Sequence, residues 1–157
     1  MRASAPITRD LLLIGGGHAH ALLLKMWGMT PLPGVRLTLV NPDPTAPYTG
    51  MLPGFVAGHY EQDEVEIDLV KLARFAGARL ILGHVDGLDL KAGRARIAGR
   101  PDIAFDIASL DIGIASGQPL TVEGETALWP AKPMSRFAQA WGAHIEGVKS
   151  GAHPATA

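Results

Sequence analysis

LLLIGGGHAHA, residues 11–21, is the stretch on which the predicted fold depends. The four large aliphatic residues from Leu11 to Ile14 are typical of a parallel strand that is buried on both faces. The glycines that follow allow a tight turn, after which the pattern resumes as a helix. Backbone N–H groups at such a turn and the positive end of the helix bind an anion, most simply a dinucleotide pyrophosphate.

The glycine spacing matches two of the three positions of the dinucleotide fingerprint. Gly15 and Gly17 take the places where the chain turns and where phosphate approaches the backbone. His20 stands where the third glycine is expected. For His18 and His20, packing is the alternative to a hydrogen bond with phosphate. The candidate residues for phosphate binding are Gly15, Gly16, Gly17, His18, Ala19 and His20.

A second strand completes the predicted strand–helix–strand unit. Residues 21–27 continue as a mostly apolar helix that Gly28 and then Pro31, Pro33 and Gly34 are expected to stop. Residues 35–40, VRLTLV, alternate as a strand does. At the end of this strand a dinucleotide fold usually places an acid for the ribose hydroxyls. Asn41 and Pro42 stand there instead, and because Asn41 can still hydrogen-bond a hydroxyl, both are candidate cofactor-binding residues.

The rest of the chain is divided by clear turn and cap signals. Residues 41–60 are rich in proline and glycine yet apolar, which favours either the wall of a ligand cavity or a loop packed on its own core. Asp68 is placed to cap a helix over 69–76 that Gly77 ends. Predicted strands cover residues 78–82, 84–90, 95–98 and 103–114, with a turn at 91–94, a helix at 134–145 and a polar tail at 149–157.

Composition excludes several classes of function. The chain has 157 residues, of which 47% are hydrophobic and 18% charged, as in an ordinary soluble domain. A net charge of −1 without a basic stripe argues against binding to nucleic acid. The absence of cysteine excludes disulfides, thiolate zinc sites and redox dithiols. With no signal peptide or transmembrane segment in the sequence, we expect a cytoplasmic location.

Other residues that could carry chemistry receive a structural interpretation. The six histidines have no carboxylate or cysteine partners at ligand spacing, so no metal site is predicted. Ser109, Ser116 and Thr49 lack the context of a nucleophile elbow, so hydrolysis through a covalent intermediate has no support. The tryptophans, expected in a core or a lid, are Trp27, Trp129 and Trp141.

Three motifs in order resemble one family of enzymes. They are GGGHAH at 15–20, PYTGMLPG at 47–54 with AGHY at 57–60, and SLDIG at 109–113. Together they resemble the FAD-dependent pyridine nucleotide-disulfide oxidoreductase superfamily, in its branch related to type II NADH dehydrogenases that is sometimes fused to selenide, water dikinase. The YTGMLPG run is much more specific than the glycine turn.

The resemblance implies a fold and a division of the chain. The expected fold is an α/β, Rossmann-like FAD/NAD(P)-binding domain with a parallel sheet flanked by helices and a small β-hairpin or meander insertion. Residues 1–10 are then an N-terminal extension, and 11–119 an incomplete FAD-binding domain. Residues 120–157 are a crossover helix and frayed tail that lead toward an NAD(P)H domain, which the sequence does not contain.

The resemblance also implies site residues. In that family the glycine turn binds the FAD pyrophosphate, and the strand containing Val85 runs beside the adenine, although a core valine is the alternative. Asp111 and Gly113 lie on a segment that passes near the cofactor. No catalytic residue is assigned. The loop that lies toward the flavin corresponds here to Tyr48, Thr49, Gly50, Met51, Leu52 and Pro53.

The implied activity is transfer of electrons from NAD(P)H through FAD to a quinone or another small acceptor. The sequence lacks a second glycine-rich turn and the segment that closes over the flavin, so a downstream domain or complementing chain is expected to be needed. The intact enzyme could also sit peripherally at a membrane. The alternatives are a non-catalytic dinucleotide-binding module, a truncated inactive product, and a turn that binds NAD directly.

Overall fold

A computed structural model of the chain describes residues 6–113, 132 and 134–152. The chain forms two compact units. The first, which we name the sheet unit, comprises Met1–Ala46 and Ile67–Ile112, and the second, the helical unit, comprises Pro47–Glu66 and Gly113–Ala157. The predicted domain limits at residues 10 and 119 stay a prediction.

The elements alternate between strand and helix in the first part of the chain. The helices are α1 (His18–Met29), α2 (Leu52–Val56), α3 (Leu69–Ala76) and α4 (Met134–Lys149). The strands are β1 (Arg9–Ile14), β2 (Val35–Asn41), β3 (Thr45–Pro47), β4 (Glu66–Asp68), β5 (Arg79–Leu82), β6 (Val85–Asp89), β7 (Arg94–Ile97), β8 (Ile103–Ala104) and β9 (Ile107–Leu110).

The main sheet is parallel and has the order β5-β2-β1-β9. Leu12 of β1 lies opposite Thr38 of β2 on one side and Ala108 of β9 on the other. Placing the first strand between the second and the last is the arrangement of a Rossmann fold, and it brings the carboxyl ends of β1, β2 and β9 to one edge. Two smaller sheets pair β3 with β4 and join β6, β7 and β8.

Both faces of β1 are buried, as its run of aliphatic residues predicts. Leu13 packs with residues of α1 and α3, including Leu24 and Leu69, on one face of the sheet. On the other face, Leu12 packs against the β6–β8 sheet, whose buried core residues include Ile97. Because neighbouring side chains of a strand point to opposite faces, one strand supplies both cores. The predicted α/β fold with a parallel sheet and a β-meander is confirmed.

Helix α1 is longer than the sequence predicts. It begins directly after Gly17, passes through Gly28 and ends at Met29, before the prolines at 31 and 33 that the sequence also gives as its stop. A Cβ atom on Gly28 would overlap the ring of Phe75 from α3. The glycine therefore allows two helices to approach closely, and this packing offsets the low helix propensity of glycine.

The single strand predicted over 103–114 is two strands in two different sheets. The chain turns at Asp106, whose N–H donates to the Asp10 carbonyl at 2.9 Å. Its carboxylate in turn accepts from the Asp10 N–H at 2.7 Å. Asp106 thus pairs with the start of β1 and separates β8 from β9. The apolar pattern does not reveal the division because both halves are apolar.

The loop predicted over 41–60 contains the short strand β3. Its part in the helical unit contains a short 3-10 turn, Thr49–Met51, followed by α2. Proline near the start of a short helix fits the conformation that its ring imposes, and Pro53 stands in the first turn of α2.

The helix predicted over 134–145 is confirmed as α4 and continues to Lys149, with the rings of Phe137 and Trp141 stacked 6.5 Å apart. Ser116 and Trp129 lie outside the described residues.

Helix α3 has the cap that the sequence predicts. Asp68 Oδ1 accepts from the Lys71 N–H at 2.8 Å, and Gly77 ends the helix with a left-handed φ of 62°. The backbone N–H of Lys71, and then its ammonium group, hold the pKa of Asp68 below 3.8. A carboxyl group with a lowered folded pKa stabilises above its ordinary pKa, and this stabilisation is lost as the pH falls through the folded value.

We expect Asp68→Ala to lower Tm at neutral pH, because the N–H of Lys71 loses its acceptor. Asp68→Asn keeps an oxygen acceptor without the charge, so its Tm should lie between those of wild type and Asp68→Ala. The gap between wild type and Asp68→Asn should close as the pH falls through the lowered pKa of Asp68. Thermal unfolding measured by circular dichroism between neutral and acid pH checks this, with Asp63→Ala as a control at an exposed carboxylate.

Candidate functional site

The turn between β1 and α1 depends on a glycine at position 15. Gly15 has a left-handed φ of 90°, and its N–H donates to the Val40 carbonyl at 2.8 Å. A Cβ atom at this position would overlap the backbone carbonyl of Asp111. Gly15 is therefore required both by its backbone conformation and by the close passage of the segment after β9.

The side chain of Asn41 forms a hydrogen bond with the second glycine of the turn, Gly16. Its Oδ1 accepts from the Gly16 N–H at 2.7 Å, and its Nδ2 donates to the Asp43 carbonyl at 2.7 Å. Asn41 is buried at the end of β2, so its amide joins that strand end to the glycine turn. Its contact with a ribose, the role expected from the sequence, stays a prediction.

A carboxylate from the end of β9 lies at the start of α1. Asp111 Oδ2 accepts from the His20 N–H at 3.0 Å, in the first turn of the helix. A Cβ atom on Gly17 would overlap this carboxylate, so the absence of a side chain at position 17 makes room for it. The Gly17 N–H also donates to the Asp111 carbonyl at 3.2 Å. The positive end of the helix therefore has an anion beside it.

His20, in the place of the third glycine, is only 2% exposed. Its Nδ1 lies 2.7 Å from the Gly15 carbonyl and its Nε2 lies 2.9 Å from Ser109 Oγ. Since a carbonyl only accepts, Nδ1 must carry a hydrogen, and in the neutral ring Nε2 then accepts from the Ser109 hydroxyl. The ring thus links the turn after β1 to β9. These contacts fit the packing interpretation, and a bond from the ring to phosphate would require one of them to break.

The structure brings together only some of the predicted site residues. Gly15, Gly16, Gly17, His20, Asn41 and Asp111 form one connected set in the sheet unit. Elsewhere in that unit, His18 and Ala19 are exposed in the first turn of α1, Pro42 is exposed after β2, and Val85 begins β6 and packs on the Leu12 core. Tyr48, Thr49, Gly50, Met51, Leu52, Pro53 and Gly113 belong to the helical unit.

Sequence reasoning missed the part that Ser109 plays. The sequence places Ser109 in the SLDIG motif and gives no support for it as a nucleophile, but it does not reveal that the hydroxyl binds the His20 ring. A usable signal was present, because Ser109 and Asp111 are two residues apart at a strand end and so point to the same side. Both reach His20, one through its ring and the other through its backbone N–H.

The predicted flavin loop is compactly folded within the helical unit. The Tyr48 N–H donates to the Val65 carbonyl at 2.7 Å, and the Met51 N–H donates to the Tyr48 carbonyl at 3.0 Å. The Tyr48 ring lies against Gly50, where a Cβ atom would come within 3.1 Å of it. Met51 and Leu52 are half-buried, so each keeps part of its apolar surface accessible.

Two further observations concern metals and membranes. Among residues 6–113 and 134–152, no three histidine, aspartate or glutamate side chains are placed to hold a metal ion. No helix within these ranges has the length and apolar character needed to cross a membrane.

No family model and no curated protein matches the sequence. Solved structures do match the fold. The water-forming NADH oxidase from Lactobacillus brevis, bound to NADH, gives a TM-score of 0.65 at 11% identity over 88% of this chain. The sulfide:quinone oxidoreductase from Aquifex aeolicus gives 0.60 at 16% identity over 91%. The putidaredoxin reductase–putidaredoxin complex gives 0.57 at 14% identity over 75%.

These TM-scores establish the fold, which is Rossmann-like. The matched regions are only part of each enzyme, because the chain spans 32% of the NADH oxidase, 33% of the sulfide:quinone oxidoreductase and 29% of the putidaredoxin reductase structure.

The role of Gly15 predicts a large loss of stability in Gly15→Ala. The alanine must adopt a strained φ, and its Cβ atom would overlap the Asp111 carbonyl. We therefore expect the free energy of unfolding to fall by about 2–4 kcal/mol. Gly99→Ala is a matched control, because Gly99 has a φ of 69° and a Cβ atom added there would meet nothing within 4 Å. Urea unfolding of both variants separates the two contributions, and equal losses would show that the close passage of Asp111 is unimportant.

The hydrogen bond between Ser109 and the His20 ring predicts that Ser109→Ala loses less stability than Gly15→Ala. Removing the hydroxyl leaves the buried Nε2 of His20 without a partner, which costs about 1–2 kcal/mol. Ser150→Ala, at an exposed serine that bonds the Gly147 carbonyl, is the control. Nitrogen chemical shifts of the His20 ring should show hydrogen on Nδ1 in the neutral form. Hydrogen on Nε2 would contradict the assignment.

Proposed function

We propose that this chain is the FAD-binding part of an NAD(P)H oxidoreductase of the type II NADH dehydrogenase kind. The observation that carries the proposal is that an anionic group lies at the start of α1. There the glycine turn and the helix N-terminus meet the carboxylate of Asp111, which accepts from the His20 N–H at 3.0 Å. The pyrophosphate of a dinucleotide is the ligand that this arrangement of strand, turn and helix usually binds.

The residues present fit such a phosphate. The Asp111 carboxylate is a stand-in for a phosphate oxygen, because both are anionic acceptors of a backbone N–H. Gly17 has no side chain between the helix start and this position, whereas a Cβ atom there would overlap the carboxylate. Asn41 fixes the turn from the other side through the Gly16 N–H. The turn is thus held by hydrogen bonds from the chain itself.

The other proposed contacts follow the resemblance. Met51 and Leu52, each half-buried, would give apolar cover to a flat ring, and the backbone near Val85 would meet the adenine. The other members of the proposed site are Ala19, Pro42 and Gly113, together with the rest of the Tyr48–Pro53 loop. Bound there, FAD would supply hydride acceptance from NAD(P)H and electron transfer to a small acceptor such as a quinone.

The matched structures support the class of activity that we propose. They include a sulfide:quinone oxidoreductase and a water-forming NADH oxidase. Since this chain spans about a third of their length, we propose that a further domain or chain supplies the nicotinamide site. We place the protein in the cytoplasm, with peripheral attachment to a membrane as the setting for a quinone acceptor.

The test is a titration of the purified chain with FAD and with ADP, which lacks the isoalloxazine ring. Gly17→Val should abolish binding of both ligands, because a branched side chain fills the phosphate position. Met51→Ser with Leu52→Ser should weaken FAD more than ADP. The matched control is Leu22→Ser with Met26→Ser, an exposed leucine and methionine pair on α1.

The results of this titration distinguish the proposed function from its alternatives. Equal losses of FAD and ADP in the Met51 and Leu52 variant would make that loop structural only, and unchanged affinity in folded Gly17→Val would remove the turn from the site. Preference for NAD over FAD would favour the direct NAD alternative. We expect no NADH oxidation by the chain alone, so ordinary turnover with a quinone or dye would contradict the need for a second part.

A further inference from the structure

We propose that Asp111 is an internal competitor of the ligand, whose carboxylate must leave the start of α1 before a dinucleotide phosphate can bind. The proposal rests on the proposed function, and it adds a residue that sets the affinity of that same site. It starts from the observation that the position expected for phosphate, beside Gly17 and the His20 N–H, already holds a carboxylate of the chain itself.

The backbone of Asp111 is fixed in place. Its N–H donates to the Ile14 carbonyl at 2.8 Å, and its carbonyl accepts from the Gly17 N–H at 3.2 Å. Asp111 therefore continues the pairing of β9 with β1 and then touches the turn. A dinucleotide could not displace this residue as a whole without opening the end of the sheet, so its side chain is the part that can move.

The side chain is held much less firmly than the backbone. Within the described part of the chain, the hydrogen bond shown for its carboxylate is the one from the His20 N–H. Asp111 is also only half-buried, so rotation about its Cα–Cβ bond can carry the carboxylate into water. Breaking one backbone hydrogen bond is a modest cost when both groups find other partners.

Two anions cannot share this position. A carboxylate and a phosphate a few ångströms apart repel each other, more strongly at a partly buried site than in bulk water. Both are attracted by the same partial positive charge at the helix start. The His20 N–H can also serve only one of them well. Whatever free energy holds the carboxylate there is therefore subtracted from the binding of the phosphate.

The experiment compares three ligands and four proteins. Asp111→Asn keeps the shape of the side chain and an oxygen acceptor for the His20 N–H, but it removes the charge. Asp111→Ala removes the acceptor as well. Asp106→Asn is the matched control, because it removes one carboxylate charge from the same segment at a position bound to Asp10 and Arg9. The ligands are FAD, ADP and adenosine, and calorimetry measures each affinity.

We expect Asp111→Asn to bind FAD and ADP about tenfold or more tightly than wild type. Adenosine, which has no phosphate, should bind wild type and Asp111→Asn equally, and Asp106→Asn should behave as wild type. Asp111→Ala should also gain affinity for FAD and ADP, and its Tm without ligand should fall because the His20 N–H loses its acceptor.

Equal or weaker binding of FAD and ADP by folded Asp111→Asn would overturn the inference and leave the proposed function intact, since wild type would still bind. An equal gain for adenosine would also overturn it, because the effect would then not act through phosphate. If no protein binds FAD or ADP, the proposed function itself fails, and this inference fails with it. Binding by Asp111→Asn but not by wild type would support both.

Discussion

A buried turn made of three glycines has N–H groups that it cannot satisfy by itself, and neighbouring elements must supply the acceptors. The acceptors for Gly15 and Gly16 come from the end of β2, through the Val40 carbonyl and the Asn41 side chain. The acceptor for Gly17 comes from the end of β9, through the Asp111 carbonyl. The turn is therefore the point at which three strand ends of the sheet are held in register.

Histidine in the place of the third glycine changes how helix and sheet are joined. A glycine there lets the helix approach the strand closely, and the contact is then mainly van der Waals packing. His20 instead fills the gap with a ring that bonds the Gly15 carbonyl and the Ser109 hydroxyl. The helix is held by directed hydrogen bonds, so the departure from the fingerprint is compatible with a well-ordered turn.

The sequence was sufficient for the elements whose signals are local. The β1–turn–α1 unit, the Asp68 cap and the end of α3 at Gly77 all follow from neighbouring residues. The contacts inside the site could not be predicted from the sequence, because His20 lies 89 residues from Ser109 and 91 residues from Asp111 along the chain. Likewise, the division of the predicted strand at Asp106 depends on a partner at Asp10 and not on the apolar pattern around it.

The close crossing of α1 and α3 has a consequence for how this sequence can change over time. Gly28 and Phe75 occupy complementary volumes, since a Cβ atom at position 28 would overlap the ring. A Cβ atom at position 28 would also come within 2.9 Å of the Phe75 carbonyl oxygen, so a larger residue at 28 requires α1 and α3 to move apart even if the side chain at 75 becomes smaller. In homologues of this chain, position 28 is therefore expected to stay small whichever side chain stands at position 75, although 47 positions separate the two along the sequence.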